Sequence, residues 1–143
     1  MPWLIREAGD VCRDVVRRSL ADAGCGDVPR NGAFVLTGLD PSERDLAFSP
    51  QADVVASLGL SKQAASQLID TLVVRDYLER RIDPEDRRRM EVRLTERGRR
   101  AVRAIEAAIR DINTTLAGLI TADELHGLKA GLAAFREVRD RAL

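Results

Sequence analysis

The chain has 143 residues, of which 45% are hydrophobic, 32% charged and only 3% aromatic. This length and composition suit a folded domain with a real core and exclude a disordered chain. The formal net charge of zero argues against a nonselective polyanion binder, although a neutral total is compatible with a local basic patch. We expect a cytoplasmic protein without membrane contacts. The chain has only two cysteines, no apolar core of a signal peptide and no run near ~20 apolar residues.

The first third of the chain predicts two helices and a loop. Apolar residues recur at helical spacing over about residues 3–23, and Gly24 and Gly26 end this helix. A proline followed by an apolar run predicts a short helix at about 29–37. Residues 38–45 contain Pro41 and several charges, which favours a loop.

A helix-turn-helix pattern follows. Ser49 and Pro50 have the pattern of an N-cap and a first helical residue, which predicts a helix at about 50–58 that Gly59 ends. Ser61 is placed to cap a second helix, and two short helices joined by a tight glycine turn form this motif. Apolar residues would lie on the inner side of the second helix. Its outer side would carry Lys62, Gln63, Ser66, Gln67 and Asp70.

The next segment predicts a β-hairpin with a basic tip. Residues 77–82 and 90–94 alternate between apolar and polar side chains, as strands with one buried face do. Between them lies a charged turn that ends in Arg87, Arg88 and Arg89. The stretch from 75 to 103 holds eleven Arg against seven acidic residues, so positive charge is concentrated here. Helix, strand, basic tip and strand in this order are typical of a winged helix.

Two amphipathic helices complete the prediction. Thr95 is placed to cap a long helix at about 96–119, and Thr121 to cap a last one. We therefore predict a mostly α, α+β winged-helix fold with about six helices and a two-stranded wing. The apolar faces of the first and last two helices exceed what one winged helix needs, which favours a twofold pair of chains. A helix of about 24 residues spans about 36 Å, near the ~34–36 Å between half-sites one DNA turn apart.

Catalytic and metal-ligating residues are not grouped in the sequence. His126 is the one histidine, and it has no cysteine near it. Asp83, Glu85 and Asp86 adjoin three Arg residues, which favours a solvated, salt-bridged turn over a pair of catalytic carboxylates. We expect no enzyme activity, no metal and no cofactor.

The polar helix face and the basic hairpin favour double-stranded DNA as the partner. Gln can pair with adenine in the major groove, where Ser and Lys can contact bases or phosphate. The helix N-terminus can hold a phosphate, and an Arg-tipped hairpin can enter the minor groove. The alternative for any charge run is a solvated surface, but a helix-turn-helix followed directly by a basic hairpin is more specific.

Over about residues 49–100 the sequence resembles the MarR family of bacterial transcriptional regulators. The similarity is carried by VVASLGLSKQAAS at 54–66, YLERR at 77–81, DPEDRR at 83–88 and RLTERGR at 93–99. The resemblance implies a homodimer that binds a pseudo-palindromic operator, usually as a repressor. It implies one domain over 1–143, with a DNA-binding lobe at 28–95 and dimerisation helices at 1–24 and 96–143.

The resemblance also implies roles for individual residues. Arg88 would reach the minor groove, with Arg87 and Arg89 beside it, and Asp86 would brace the wing. The recognition-helix positions would be those of Ser61, Lys62, Gln63, Ser66 and Gln67.

The chain departs from the family pattern at a few of these positions. Gln67 stands where many members have Arg, and Val73 and Val74 replace charged residues. Asp76 stands where a glycine usually ends the recognition helix, and Asp tolerates the left-handed conformation better than most residues.

Three further expectations concern regulation. Members of the family often bind small effectors, although no pocket signature identifies an effector site here, and some sense oxidants through a cysteine near the N-terminus. Cys12 is on an apolar helix face and is expected in the core, whereas Cys25 between two glycines is the more exposed redox candidate.

The alternative function is a winged-helix module for protein–protein interaction whose helix no longer reads DNA.

Overall fold

The structure, a computed structural model, describes residues 1–39 and 49–142. It divides into two compact units, Met1–Ala108 and Ile109–Leu143, and the boundary falls within a helix. The predicted mostly helical winged-helix fold is confirmed, with six helices in the described residues. The elements are α1 Pro2–Asp22, α2 Gly32–Gly38, β1 Ser49–Pro50, α3 Gln51–Ser57, α4 Lys62–Val74, β2 Leu78–Ile82, β3 Met90–Leu94, α5 Glu96–Leu119 and α6 Ala122–Ala142.

The prediction that Ser49 and Pro50 begin a helix is wrong. These residues form the short strand β1, which pairs antiparallel with β3 and places Ser49 opposite Val92. The sheet therefore has three strands in the order β1-β3-β2, and the hairpin has a neighbour. Proline has no N–H to donate and suits an edge strand, so the helical pattern starts only at Gln51. The loop predicted at 38–45 lies outside the described residues from residue 40 onward.

One hydrophobic core holds the first unit together. It is filled by the end of α1, α2, the inner side of α4, the base of the hairpin and the first half of α5. Each large apolar side chain buried here stabilises the fold by roughly 1.5–3 kcal/mol relative to exposure. The most completely buried side chains are Tyr77, Leu36, Ile69, Leu72, Leu78, Val35, Val92 and Cys25.

The helix α4 has the caps that its sequence predicts. The Ser61 hydroxyl accepts the backbone N–H of Ala64 at 3.2 Å, as an N-cap does. At the other end Asp76 has a φ of 61°, so it adopts the predicted left-handed conformation. The N–H of Tyr77 then donates to the Leu72 carbonyl at 2.9 Å, which completes a Schellman motif and turns Tyr77 into the core.

The same motif buries Cys25, so the expectation that Cys25 is the more exposed cysteine is wrong. Gly24 is left-handed at the end of α1, and the Cys25 N–H donates to the Leu20 carbonyl at 2.7 Å. This turn folds Cys25 back onto the helix end, where it is fully buried. Cys12, which was expected in the core, is exposed on α1. Exposed Leu4 and Val11 show that the first turns of α1 lack packing within the unit.

The hairpin formed by β2 and β3 has two different faces. On the outer face, two cross-strand ion pairs join Arg81 to Glu91 and Arg93 to Glu79. The other face is apolar, but only its base packs on the helices, because Leu78, Val92 and Leu94 are buried while Ile82 and Met90 are exposed. The prediction of an apolar packing face is therefore correct at the base of the hairpin and wrong at its end.

The start of α5 is hydrogen-bonded to the backbone carbonyls of Asp76 and Tyr77. The Thr95 hydroxyl accepts the N–H of Gly98 at 2.9 Å and donates to the Asp76 carbonyl at 2.5 Å, which confirms Thr95 as a cap. The Thr95 N–H donates to the Tyr77 carbonyl at 3.1 Å. Gly98 lies so close to this carbonyl that a Cβ there would overlap its oxygen.

The second unit contains the end of α5 and all of α6. Thr121 and Glu124 form a capping box, with the Thr121 N–H donating to the Glu124 carboxylate at 2.8 Å and the Glu124 N–H to the Thr121 hydroxyl at 3.3 Å. The Thr121 hydroxyl also donates to the Glu124 carboxylate at 2.8 Å, and the bonds from the Thr121 N–H and hydroxyl lower the pKa of Glu124. The bond from the Glu124 N–H confirms Thr121 as the predicted cap. Within this unit, large apolar side chains are exposed in a row on α6. They are Leu128, Leu132, Phe135 and Val138.

We predict that Gly98→Ala lowers the free energy of unfolding by about 3 kcal/mol, because the new methyl group must displace a backbone carbonyl. Denaturant titration followed by circular dichroism measures this change. Gly118→Ala in the same helix is the matched control, since no atom lies within 4 Å of a Cβ there. It should raise stability by up to about 1 kcal/mol through helix propensity. Equal effects of the two substitutions would contradict the prediction.

Candidate nucleic-acid interface

A row of polar side chains occupies the outer side of the first half of α4. Lys62, Gln63 and Gln67 are exposed and Ser66 is half-buried, while Ser61 is exposed at the cap. The opposite side of α4 is anchored in the core through three residues. They are Ala65, Ile69 and Leu72.

The N-terminus of α4 is built to receive an anion. The first helical backbone bond is made by Ala65 to the Ser61 carbonyl at 2.9 Å, so the N–H groups of Lys62 and Gln63 precede the helical ladder. Such N–H groups and the helix dipole favour a phosphate, and the ammonium group of Lys62 adds a positive charge at the same place.

The tip of the hairpin is folded by its own acidic side chains. The Asp83 carboxylate accepts the Glu85 N–H at 2.8 Å, and the Asp86 carboxylate accepts the Arg88 N–H at 3.0 Å. The Asp83 N–H donates to the Arg89 carbonyl at 3.0 Å and closes the turn. These bonds hold the backbone at Arg88 in one conformation.

The three arginines of the tip differ in their partners. All three are exposed. Arg89 pairs with Asp86 at 3.4 Å. Within the described part of the chain, Arg87 and Arg88 have no ion-pair partner, in contrast to the arginines of the two strands, which are paired with carboxylates. The tip therefore presents its positive charge to solvent.

An ion pair connects the hairpin to α4. The guanidinium group of Arg80 on β2 contacts the Asp70 carboxylate at 2.6 Å. Sequence reasoning placed Asp70 on the outer side of α4 but did not find its partner. The pair fixes the hairpin relative to the polar row of the helix, and so helps to set the distance between the two predicted contact regions.

A second cluster that sequence reasoning missed surrounds Tyr77. The Tyr77 hydroxyl donates to the Asp27 carboxylate, and the guanidinium of Arg97 lies 4.4 Å from the centre of the Tyr77 ring. Arg97 also contacts Asp27 at 3.0 Å and donates to the Arg75 carbonyl at 2.5 Å. No motif reveals the cluster, because Asp27 lies 50 positions from Tyr77 and 70 from Arg97.

The cluster shifts the protonation of its acidic members. The hydrogen bond from Tyr77, followed by the positive charge of Arg97, lowers the pKa of Asp27 below its usual 3.8. Burial, together with the bond to Asp27, raises the pKa of Tyr77. Asp27 is therefore a carboxylate and Tyr77 a phenol throughout the neutral range.

The pKa of Asp27 predicts a pH dependence of stability. A carboxylate whose folded pKa lies below 3.8 stabilises the fold above that pH and loses this effect as the pH falls through the folded pKa. We expect Asp27→Asn to lower the free energy of unfolding by about 1 kcal/mol at pH 7, a small value because the carboxylate is half exposed. The gap from the unsubstituted protein should shrink at pH 3.

Urea titrations at the two pH values measure both quantities. Asp22→Asn, at an exposed aspartate at the end of α1, is the control and should change little at either pH. A gap for Asp27→Asn that is unchanged or larger at pH 3 would show that the carboxylate does not act in this way.

The described residues form neither a metal site nor a membrane-spanning helix. No three His, Cys, Asp or Glu side chains come together as a metal site in that part of the chain. No helix among the described residues has the length and apolar character needed to cross a membrane.

Solved structures with this fold are known. Staphylococcus aureus MepR in its complex with DNA is 21% identical with a TM-score of 0.77, and the match covers 96% of this chain and 97% of that one. Streptococcus pneumoniae FabT in complex with DNA is 15% identical with a TM-score of 0.79, covering 99% and 96%. A MarR family transcription regulator is 22% identical with a TM-score of 0.76, covering 99% and 87%. At these identities the likeness shows a shared fold, the winged helix.

A family model matches the middle of the chain. Residues 35–89, from the middle of α2 to the end of the hairpin tip, match the model of the MarR family. A comparison with curated protein sequences gives no match. The predicted resemblance to the MarR family is thus confirmed on the segment that holds α4 and the basic tip.

Proposed function

We propose that this protein is a DNA-binding transcriptional regulator that places α4 in the major groove and the hairpin tip in the adjacent minor groove. The proposal rests on one observation above all. Arg87 and Arg88 are exposed and have no ion-pair partner among residues 1–39 and 49–142, and the backbone of their tip is held by Asp83 and Asp86. The match of residues 35–89 to the MarR family model and the DNA-bound structures of similar fold support it.

The roles of the individual residues follow from their positions. Ser61 and Lys62 lie at the anion-favouring end of α4 and would hold a backbone phosphate. Gln63 and Gln67 are exposed and lie one turn apart on the same face of α4. The amide group of each could form two hydrogen bonds with the major-groove edge of an adenine. Ser66 completes this row. Asp86 would brace the tip while Arg88, flanked by Arg87 and Arg89, enters the minor groove.

The proposal includes a homodimer in which residues 1–143 act as one domain. The exposed apolar residues of α1 and the apolar row of α6 would be covered in a closed pair of chains. The two DNA-binding lobes of the pair would then match the two half-sites of a pseudo-palindromic operator. Lobe 28–95 would read DNA, and 1–24 and 96–143 would dimerise. A repressor in the cytoplasm, released by a small effector, is the form that the family favours.

A protein–protein interaction module is the alternative, and the neutral total charge is what favours it. Such a module would bind DNA neither tightly nor with a steep dependence on salt. The two functions are therefore separated by the salt dependence of DNA binding.

We predict that Arg88→Ala weakens binding to duplex DNA selected from random sequence by about tenfold and lowers the slope of log affinity against log salt by about 1, because one phosphate-neutralising charge is lost. Fluorescence anisotropy over a salt series measures both values. Arg17→Ala removes the same charge from an exposed position on α1 and is the matched control. Equal binding by both variants, or no binding by the unsubstituted protein, would refute the proposed DNA contact.

The dimer yields a separate prediction. Leu128→Glu with Leu132→Glu places two charges on the apolar row of α6, and burial of an unpaired charge opposes association. Sedimentation equilibrium should show monomers. Affinity for the selected duplex should fall by at least about tenfold, because a monomer lacks the second DNA-binding lobe. The matched control, Ala130→Glu with Ala134→Glu, places the charges on the opposite side of α6 and should stay dimeric. A dimeric Leu128, Leu132 variant would contradict this assignment.

A further inference from the structure

Two exposed apolar side chains form the last pair of the hairpin before its basic tip. Ile82 and Met90 lie opposite each other in the register of β2 and β3, and they are 57% and 37% exposed. Met90 directly follows Arg89 in the chain. Neither the core nor the fold of the hairpin accounts for an apolar pair at this point, because the core ends at Leu78 and Val92.

The pair lies on the side of the hairpin that faces α4. Side chains alternate along a strand, so Ile82 shares a face with Arg80, and Met90 shares it with Val92. On this face Arg80 reaches Asp70 of α4 and Val92 enters the core. The opposite face is covered by the cross-strand ion pairs of Arg81 and Arg93. Ile82 and Met90 therefore lie, close to the tip, on the same face of the hairpin as the side chain that contacts α4.

The charges beside the pair indicate what covers it. The tip between Ile82 and Met90 carries three arginines, and two of these arginines have no ion-pair partner in the described residues. A second hairpin of this chain would bring like charges together, which opposes that contact. A polyanion whose surface combines phosphates with apolar sugar edges is complementary to both the arginines and the apolar pair. Double-stranded DNA has this surface along the wall of its minor groove.

We infer that Ile82 and Met90 pack against the deoxyribose edges of the DNA strand that runs between α4 and the hairpin tip, an assignment that rests on the proposed function. The contact is apolar and sequence-independent. It holds the tip at the groove wall while the arginines supply the charge. It also adds affinity that salt does not screen, because no counterion is released by an apolar contact.

The double variant Ile82→Thr with Met90→Gln tests the inference, because Thr keeps the branched shape that suits a strand and Gln keeps the length of Met. The probes are a duplex selected from random sequence and a scrambled duplex of equal length. We expect affinity for both to fall about tenfold, the loss for roughly two buried methylene groups, with the salt slope unchanged. Arg88→Ala differs in lowering the slope.

Val74→Thr is the matched control, because Val74 is 85% exposed at the far end of α4 from Ser61. It should bind both duplexes as the unsubstituted protein does. The apolar variant Ile82→Val with Met90→Leu should retain affinity within about twofold, since it keeps the contact. Circular dichroism melting and sedimentation are run on every variant.

The outcomes separate the hypotheses. A tenfold loss with an unchanged slope, an unchanged melting midpoint and rescue by the apolar variant supports the inference. Unaltered affinity overturns it, as does a loss that accompanies a lower melting midpoint, a lower salt slope or a change in oligomeric state. If the unsubstituted protein binds neither duplex, the proposed function fails, and the inference fails with it. If it binds both and the Ile82, Met90 variant binds equally well, only the inference fails.

Discussion

The first unit depends on the contacts of Tyr77, the residue at which the helix α4 ends and the hairpin begins. Its N–H holds the end of α4, its carbonyl accepts Thr95 at the start of α5, and its ring is buried beneath Arg97. Its hydroxyl reaches Asp27 in the segment between α1 and α2. Four parts of the chain are thus joined at one residue. The left-handed Asp76 makes this possible, because it turns the chain so that the Tyr77 N–H reaches the Leu72 carbonyl and the ring enters the core.

Charge in the hairpin is arranged by distance from the core. The strands carry arginines that are each matched by a carboxylate, on the neighbouring strand or on α4. At the tip the carboxylates of Asp83 and Asp86 bind backbone N–H groups, while Arg87 and Arg88 face solvent without an ion-pair partner in the described part of the chain. The same residue types therefore serve two purposes. Paired side chains stiffen the strands, and the acidic residues of the tip order the backbone on which unpaired cations are displayed.

Local patterns in the sequence predicted most of the fold, and non-local contacts explain what they missed. Caps at Ser61, Thr95 and Thr121 are readable because a helix end needs a partner within three residues. Strand β1 was missed because Ser49 and Pro50 fit a helix start as well as an edge strand, and only pairing with β3 decides. Cys25 was misplaced because flanking glycines indicate a turn but not its direction. An apolar residue in the last turn of α1, Leu20, followed by Gly24 and then an apolar residue, was the signal that predicts burial. The contacts of Asp70 and Asp27 join distant positions, so no spacing reveals them.

The neutralised strands of the hairpin bear on how such a regulator would locate its operator. Because the arginines of its strands are already matched by carboxylates, a regulator with this hairpin gains little affinity for arbitrary sequence from its strands at cellular ionic strength. It would spend its time in free diffusion between short visits and not in long one-dimensional tracking along the duplex. Occupancy of the operator would then follow the concentration of the protein closely. Small changes in its synthesis or turnover would be felt directly at the promoter it controls.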